Sequence, residues 1–360
     1  MTERLISADS HVKMTHDQIK RYLPQHLQEA YDTAAAAYEG RMSRGTGAAN
    51  RAGATQVAAQ IAASNAAFTR DGYWDPVARL SDMDADGVEA EVLYSEVSAF
   101  RYLATVEDGV NETVRAFNDA LADFAATDPK RLIVSYQIPI HDLDLAVAEV
   151  TRVANLGAKS LQMPVFPSEF GLPDYFDECY TPLFARIAET GLPICFHIGL
   201  NTNLDDLSRR DPTPNKGIMV PVTALVTAEA FGMLIMGGVL ERHPDLKVVF
   251  VEPGLAWVAW WLETVDDMVV RQGYKFPDIK ELPSWYFHRN VHLTFIDEKV
   301  GLQRVRDLLG ISNIMWSSDF PHPVTSWPRS REIIAEIFQG IPADERSAIV
   351  CNNAARVWQL

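Results

Sequence analysis

The sequence predicts a closed (β/α)8 barrel with insertion and lid loops, and three observations carry that prediction. Short apolar runs of buried-strand length recur eight times along the chain. Helix-compatible sequence separates most of them, and such alternation implies right-handed crossovers and a parallel sheet. No G-x-G-x-x-G follows a strand near the start, which turns the reading away from an open dinucleotide-binding sheet.

The predicted strands are Leu5 to Ala8, Ala90 to Leu93, Leu132 to Ser135, Ser160 to Met163, Pro193 to Phe196, Val248 to Val251, Val291 to Thr294 and Ile314 to Ser317. The predicted helices are Asn111 to Ala126, Asp142 to Leu156, Tyr180 to Thr190, Val222 to His243 and Glu298 to Leu309. Three stretches break the alternation. Ala34 to Arg79 reads as an insertion with a helical part from Gln56 to Phe68. Leu200 to Pro221 is polar and follows a strand end, and Phe276 to Asn290 holds two prolines and the aromatics Trp285, Tyr286 and Phe287. Long loops after barrel strands cap the active-site face, so all three are lid candidates. A chain of 360 residues accommodates one barrel with insertions, read here as a single domain over 1–360.

A hydrophobic fraction of 48% supports a sizeable core. The net charge of −16 argues against nucleic acid or an anionic membrane as partner, leaving a small-molecule substrate. Cys179, Cys195 and Cys351 are widely spaced and form no C-x-x-C, which fits a reducing cytoplasm. No stretch reaches the roughly 18 apolar residues of a membrane span, and no signal-peptide pattern opens the chain.

Four strand ends carry chemistry. The first run ends in Asp9-Ser10-His11, and side chains two apart on a strand point to the same side, so both can reach one ion. A carboxylate with an imidazole suits zinc, manganese or iron. His197 closes the run Leu192 to Phe196, with Gly199 two residues on. Glu252 ends a buried strand, where it is costly unless paired, hydrogen-bonded or beside a cation. Asp319 stops the last strand, placed to bind metal or take a proton from water, and His322 follows within reach of a substrate. Singly each has a bland reading as a cap, a core histidine or a rim side chain. Together they fall at the C-terminal ends of different strands, which in a barrel is the active-site face. Tyr94, Trp285 and Trp327 are the candidate contacts for a planar substrate. His243, Asn353 and the Trp257, Trp260, Trp261 helix read as structural or as an oligomer contact.

The D-S-H, the F-H-I-G, the R-H-P-D-L-K-V-V-F-V-E-P-G-L-A-W and the W-S-S-D-F-P-H-P resemble the amidohydrolase superfamily. More narrowly they resemble its branch containing aminocarboxymuconate-semialdehyde and resorcylate decarboxylases. The resemblance implies one divalent metal, zinc first and manganese second, held by Asp9, His11, His197 and Asp319. It also implies a homodimer or homotetramer. Decarboxylating members of the branch commonly have histidine where this chain has Glu252. That departure puts metal-assisted hydrolysis first, with Asp319 as the acid and base and Glu252 or His322 positioning substrate. Non-oxidative decarboxylation of an aromatic or unsaturated acid is the alternative, and a catalytically silent binding barrel is the third reading.

Overall fold

A computed structural model of the chain describes residues 3–37, 68–95, 106, 108–198, 212–214 and 218–360. Eight strands form one sheet in sequence order: β1 Ile6–Val12, β2 Ala90–Ser95, β3 Leu132–Gln137, β4 Ser160–Gln162, β5 Ile194–His197, β6 Val248–Val251, β7 Val291–Phe295 and β8 Ile314–Trp316. Each neighbouring pair is parallel. Every strand residue is buried, as expected when side chains fill the barrel on one face and meet helices on the other.

The ring closes between β1 and the segment after β8. The Asp319 N–H donates to the Asp9 carbonyl at 2.9 Å, and the His11 N–H donates to the Phe320 carbonyl at 2.7 Å. Ser7, Ser10 and Ser318 hydroxyls meet at 3.1–3.2 Å across the same seam. Asn353 bonds the Ile311 and Ile314 carbonyls at 2.7 and 2.9 Å, fixing the entry to β8 in the structural role read from sequence.

All eight strands were placed from sequence, but β1 runs four residues further than predicted. Asp9 and His11 lie inside it, past a register shift between Ser7 and Ser10. The predicted helix from Val222 to His243 is two helices, Met219–Met236 and Val239–Arg242. Gly238 divides them with a φ of 71°, a conformation glycine adopts without steric cost.

The lid reading of Phe276 to Asn290 is corrected. Its helix, Pro283–Asn290, leads directly into β7, so it lies at the N-terminal end of the barrel. Asn290 there bonds the Pro244 and Leu246 carbonyls just ahead of β6, and Tyr286 and Phe287 are buried as packing. The predicted Gln56 to Phe68 helix lies outside the described residues apart from Phe68, as does most of Leu200 to Pro221. The C-terminal part of the insertion is not loop. It holds the start of the Pro76–Asp86 helix, capped by Asp75 through the Ala78 N–H. Among the described residues no helix is long and apolar enough to cross a membrane.

A buried imidazole in β7 sets an acid limit to stability. Burial, then the charge of Arg356, pushes His292 down to about 4. The unfolded chain takes up this proton near pH 6.5 and the folded chain does not, so stability falls as pH drops below about 6.5. The full loss, reached near pH 4, is roughly 3 kcal/mol. Urea midpoints at pH 7.5 and 5 should separate for the native protein by about 2 kcal/mol more than for His292→Leu.

Candidate metal centre

The four side chains read from sequence as ligands fall in overlapping groups at the mouth of the barrel. The Asp9 carboxylate stands 3.7 Å from His11 Nε2 and 3.4 Å from His197 Nε2. Asp319 Oδ1 stands 3.2 Å from His11 Nε2 and 2.9 Å from His322 Nδ1. Three overlapping sets can each surround an ion: Asp9, His11 and His197; His11, Asp319 and His322; Asp9, Glu252 and Asp319. In each, the ligating atoms lie within 4.8 Å of one another. β1, β5, β6 and β8 thus all deliver side chains to the C-terminal mouth, as the barrel geometry requires.

The fit to a cation can be judged from what these atoms lack. Both oxygens of Asp9, both nitrogens of His11, Nε2 of His197 and both oxygens of Asp319 are buried without a well-formed hydrogen bond. Such groups are costly in a folded protein unless an ion satisfies them. The tautomer of His197 is fixed in the useful sense. Its Nδ1 lies 2.8 Å from the Ile198 carbonyl, which can only accept, so in the neutral ring Nδ1 carries the hydrogen and Nε2 the lone pair. The donor set therefore fits a divalent cation.

The electrostatics of the metal-free pocket are those of crowded acids and imidazoles. Burial lowers His11, and the adjacent His322 lowers it further, which keeps its ring neutral and ligand-ready. Burial opposes charge on His197, but the Asp9 carboxylate outweighs it and raises this imidazole to about 9. Burial raises Asp319 less than His322 and His11 lower it, so it stays ionised. Burial first, then the Asp319 charge, pushes Glu252 up to about 8.

Backbone conformation aims two of the acids. Glu252 has a φ of 63° and Asp319 a φ of 53°, a region that costs a non-glycine residue about 1–3 kcal/mol. Glu252 is held there by its N–H, which donates to Thr294 Oγ1 at 2.7 Å. Asp319 is held by the seam bond to Asp9. His322 stacks on His11 with ring centroids 3.8 Å apart, and Phe68, within the insertion, lies 5.6 Å from His322. The insertion thus returns to the mouth of the barrel.

The three substrate-contact assignments need correction. Tyr94 is fully buried, edge-on to His197 at 5.5 Å, so it braces a ligand from beneath. Trp327 turns toward the Pro76–Asp86 helix. Its indole N–H donates to the Asp82 carbonyl at 3.0 Å and Arg70 lies over its ring. Trp285 belongs to the Pro283–Asn290 helix at the other end of the barrel, exposed and covered by Arg289 at 4.4 Å.

Sequence reasoning missed two groups. Arg79 is buried with Glu91 and donates to the His11 carbonyl at 2.8 Å and the Gly72 carbonyl at 3.1 Å. Ser95, Gln137 and Gln162 end β2, β3 and β4 as a buried chain, with Gln137 Nε2 donating to Ser95 Oγ at 2.7 Å. The signal for these was present, since each of those runs ends in a polar residue.

A family model described as amidohydrolase matches residues 8–360. The chain belongs to the amidohydrolase family. Gamma-resorcylate decarboxylase of Rhizobium radiobacter is 24% identical over 285 residues, covering 71% of this chain and 83% of that one. The 2-amino-3-carboxymuconate-6-semialdehyde decarboxylase of Dictyostelium discoideum is 26% identical over 260 residues, covering 70% and 68%. Among solved structures, a dihydroxybenzoic acid decarboxylase from Polaromonas sp. JS666, with bound manganese and the inhibitor 2-nitroresorcinol, superposes with a TM-score of 0.70. It is 18% identical and the match covers 100% of this chain and 98% of that one. At that identity the likeness shows the fold alone.

Proposed function

We propose that this amidohydrolase-family protein is a metal-dependent decarboxylase of an aromatic or unsaturated carboxylic acid. The order of the two sequence readings is thereby reversed. Hydrolysis led because Glu252 replaces a histidine, whereas the curated relatives named above are decarboxylases. The observation that carries the reading is the position of Asp319, whose carboxylate faces the ligand set through His11 and the mouth through His322.

Asp9, His11, His197 and Asp319 would hold the cation, which supplies Lewis-acid charge to anchor a substrate carboxylate and an adjacent oxygen. The residues do the proton work. Asp319 Oδ1 and His322 Nδ1, 2.9 Å apart, are within reach to pass one proton between them. As the carbon–carboxylate bond breaks, its electron pair stays on carbon and carbon dioxide leaves. The proton from the Asp319–His322 pair then forms the new C–H bond. His322, the more exposed of the two, recovers a proton from solvent. Overall one carboxylate and one proton become one C–H product and carbon dioxide.

Turnover of candidate hydroxybenzoates in deuterium oxide and in heavy-oxygen water tests this. The expected product carries one deuterium at the carbon that lost the carboxylate and no solvent oxygen. Solvent oxygen in the product would establish hydrolysis instead. His322→Gln should lower kcat by roughly 100-fold or more while metal content is kept.

A further inference from the structure

We propose that Glu252 is a direct metal ligand, so that three carboxylates and two imidazoles make this a centre for a hard, six-coordinate cation of the manganese type. The inference rests on the metal site above but not on the reaction assigned to it. Asp9, Glu252 and Asp319 each place an oxygen within 4.8 Å of the other two. For Asp9 and Asp319 those oxygens are fully buried without a well-formed hydrogen bond, although Asp319 Oδ1 lies 2.9 Å from His322 Nδ1. Three carboxylates converging on one small volume repel one another when ionised, and a cation between them relieves that repulsion.

The backbone supports a ligand role for Glu252. Val251, the residue before it, pairs with His197 in the β5–β6 register, so the two side chains emerge from adjacent strand ends. The left-handed φ of Glu252 and its N–H bond to Thr294 hold it at the strand end instead of letting it continue outward. A four-coordinate zinc site of nitrogen and sulfur donors has no use for a third carboxylate. Oxygen-rich, higher-coordinate sets suit manganese or magnesium.

The test is equilibrium dialysis of the metal-stripped full-length protein against Mn(II) and, separately, Zn(II), with melting temperatures for the same samples. Glu252→Gln should weaken Mn(II) binding by about 10–100-fold and Zn(II) binding by clearly less. Glu252→His should shift the Mn-to-Zn affinity ratio toward zinc by about tenfold or more. The metal-free melting temperature of Glu252→Gln should equal or exceed that of the native protein, while the increase on adding Mn(II) shrinks. A purely structural Glu252 would lower the metal-free value. Native Mn(II) affinity in both variants would overturn Glu252 as a ligand and leave the four-residue centre standing. Failure of the native protein to bind either ion would overturn the centre itself, and the inference with it.

Discussion

Asp319→Asn is expected to remove at least about 10³-fold from kcat while leaving a folded protein. The carboxylate faces His11 at 3.2 Å and His322 at 2.9 Å, so one substitution takes away a ligand and half of the proton pair. The fold should survive because the backbone position suits the new residue. Asp319 has a φ of 53°, and asparagine is among the few side chains that tolerate the left-handed region. The metal-free melting temperature should hold or fall modestly, since the pairing of the carboxylate with His11 and His322 is lost. Steady-state rates with metal content and circular dichroism on one preparation check all parts. Turnover within tenfold of native would remove Asp319 from the chemistry.

Arg79→Met should have the largest effect on stability, about 3–5 kcal/mol, because it leaves Glu91 as an unpaired buried acid. It also strips donors from the His11 and Gly72 carbonyls and withdraws the guanidinium from over the Phe320 ring, where it lies at 4.4 Å. Both ends of the barrel seam, His11 and Phe320, thus depend on this one side chain. Adding Glu91→Leu should recover much of the lost stability, since apolar replacement of a buried pair is often neutral. It should not recover metal affinity, because His11 remains without its backbone anchor. Urea midpoints and Mn(II) titrations of the single and double variants separate the two effects. Full recovery of metal affinity in the double variant would show that Arg79 acts only on stability.

What was legible in the sequence was whatever depends on local pattern. Buried parallel strands are short apolar runs, and Val248 to Val251 was placed to the residue. Asp9, His11, His197 and Asp319 were legible because each sits at or near the end of such a run, and the fold brings those ends together. Direction was the weak point. Trp285 and the segment around it were assigned to the mouth because they form a long interruption rich in aromatics. They precede β7 rather than follow a strand, and that order puts them at the far end. Trp327 does follow β8, but its indole N–H finds the Asp82 carbonyl, a contact 245 residues apart in sequence. Arg79 was hidden for a similar reason. It fell at the end of an apparent insertion, and only the three-dimensional pairing with Glu91 reveals its role.

The hydrogen bonds from Asp319 to Asp9 and from His11 to Phe320 have a consequence for biosynthesis. A growing chain holds Asp9 and His11 long before Asp319 and Phe320 have been made. No truncated or half-made product can present the full set of donors, so capture of an ion reports that the last strand has docked on the first. Loading by that full set would wait for the strand end that carries Asp319, and an ion held there would fasten the seam at which the ring is joined.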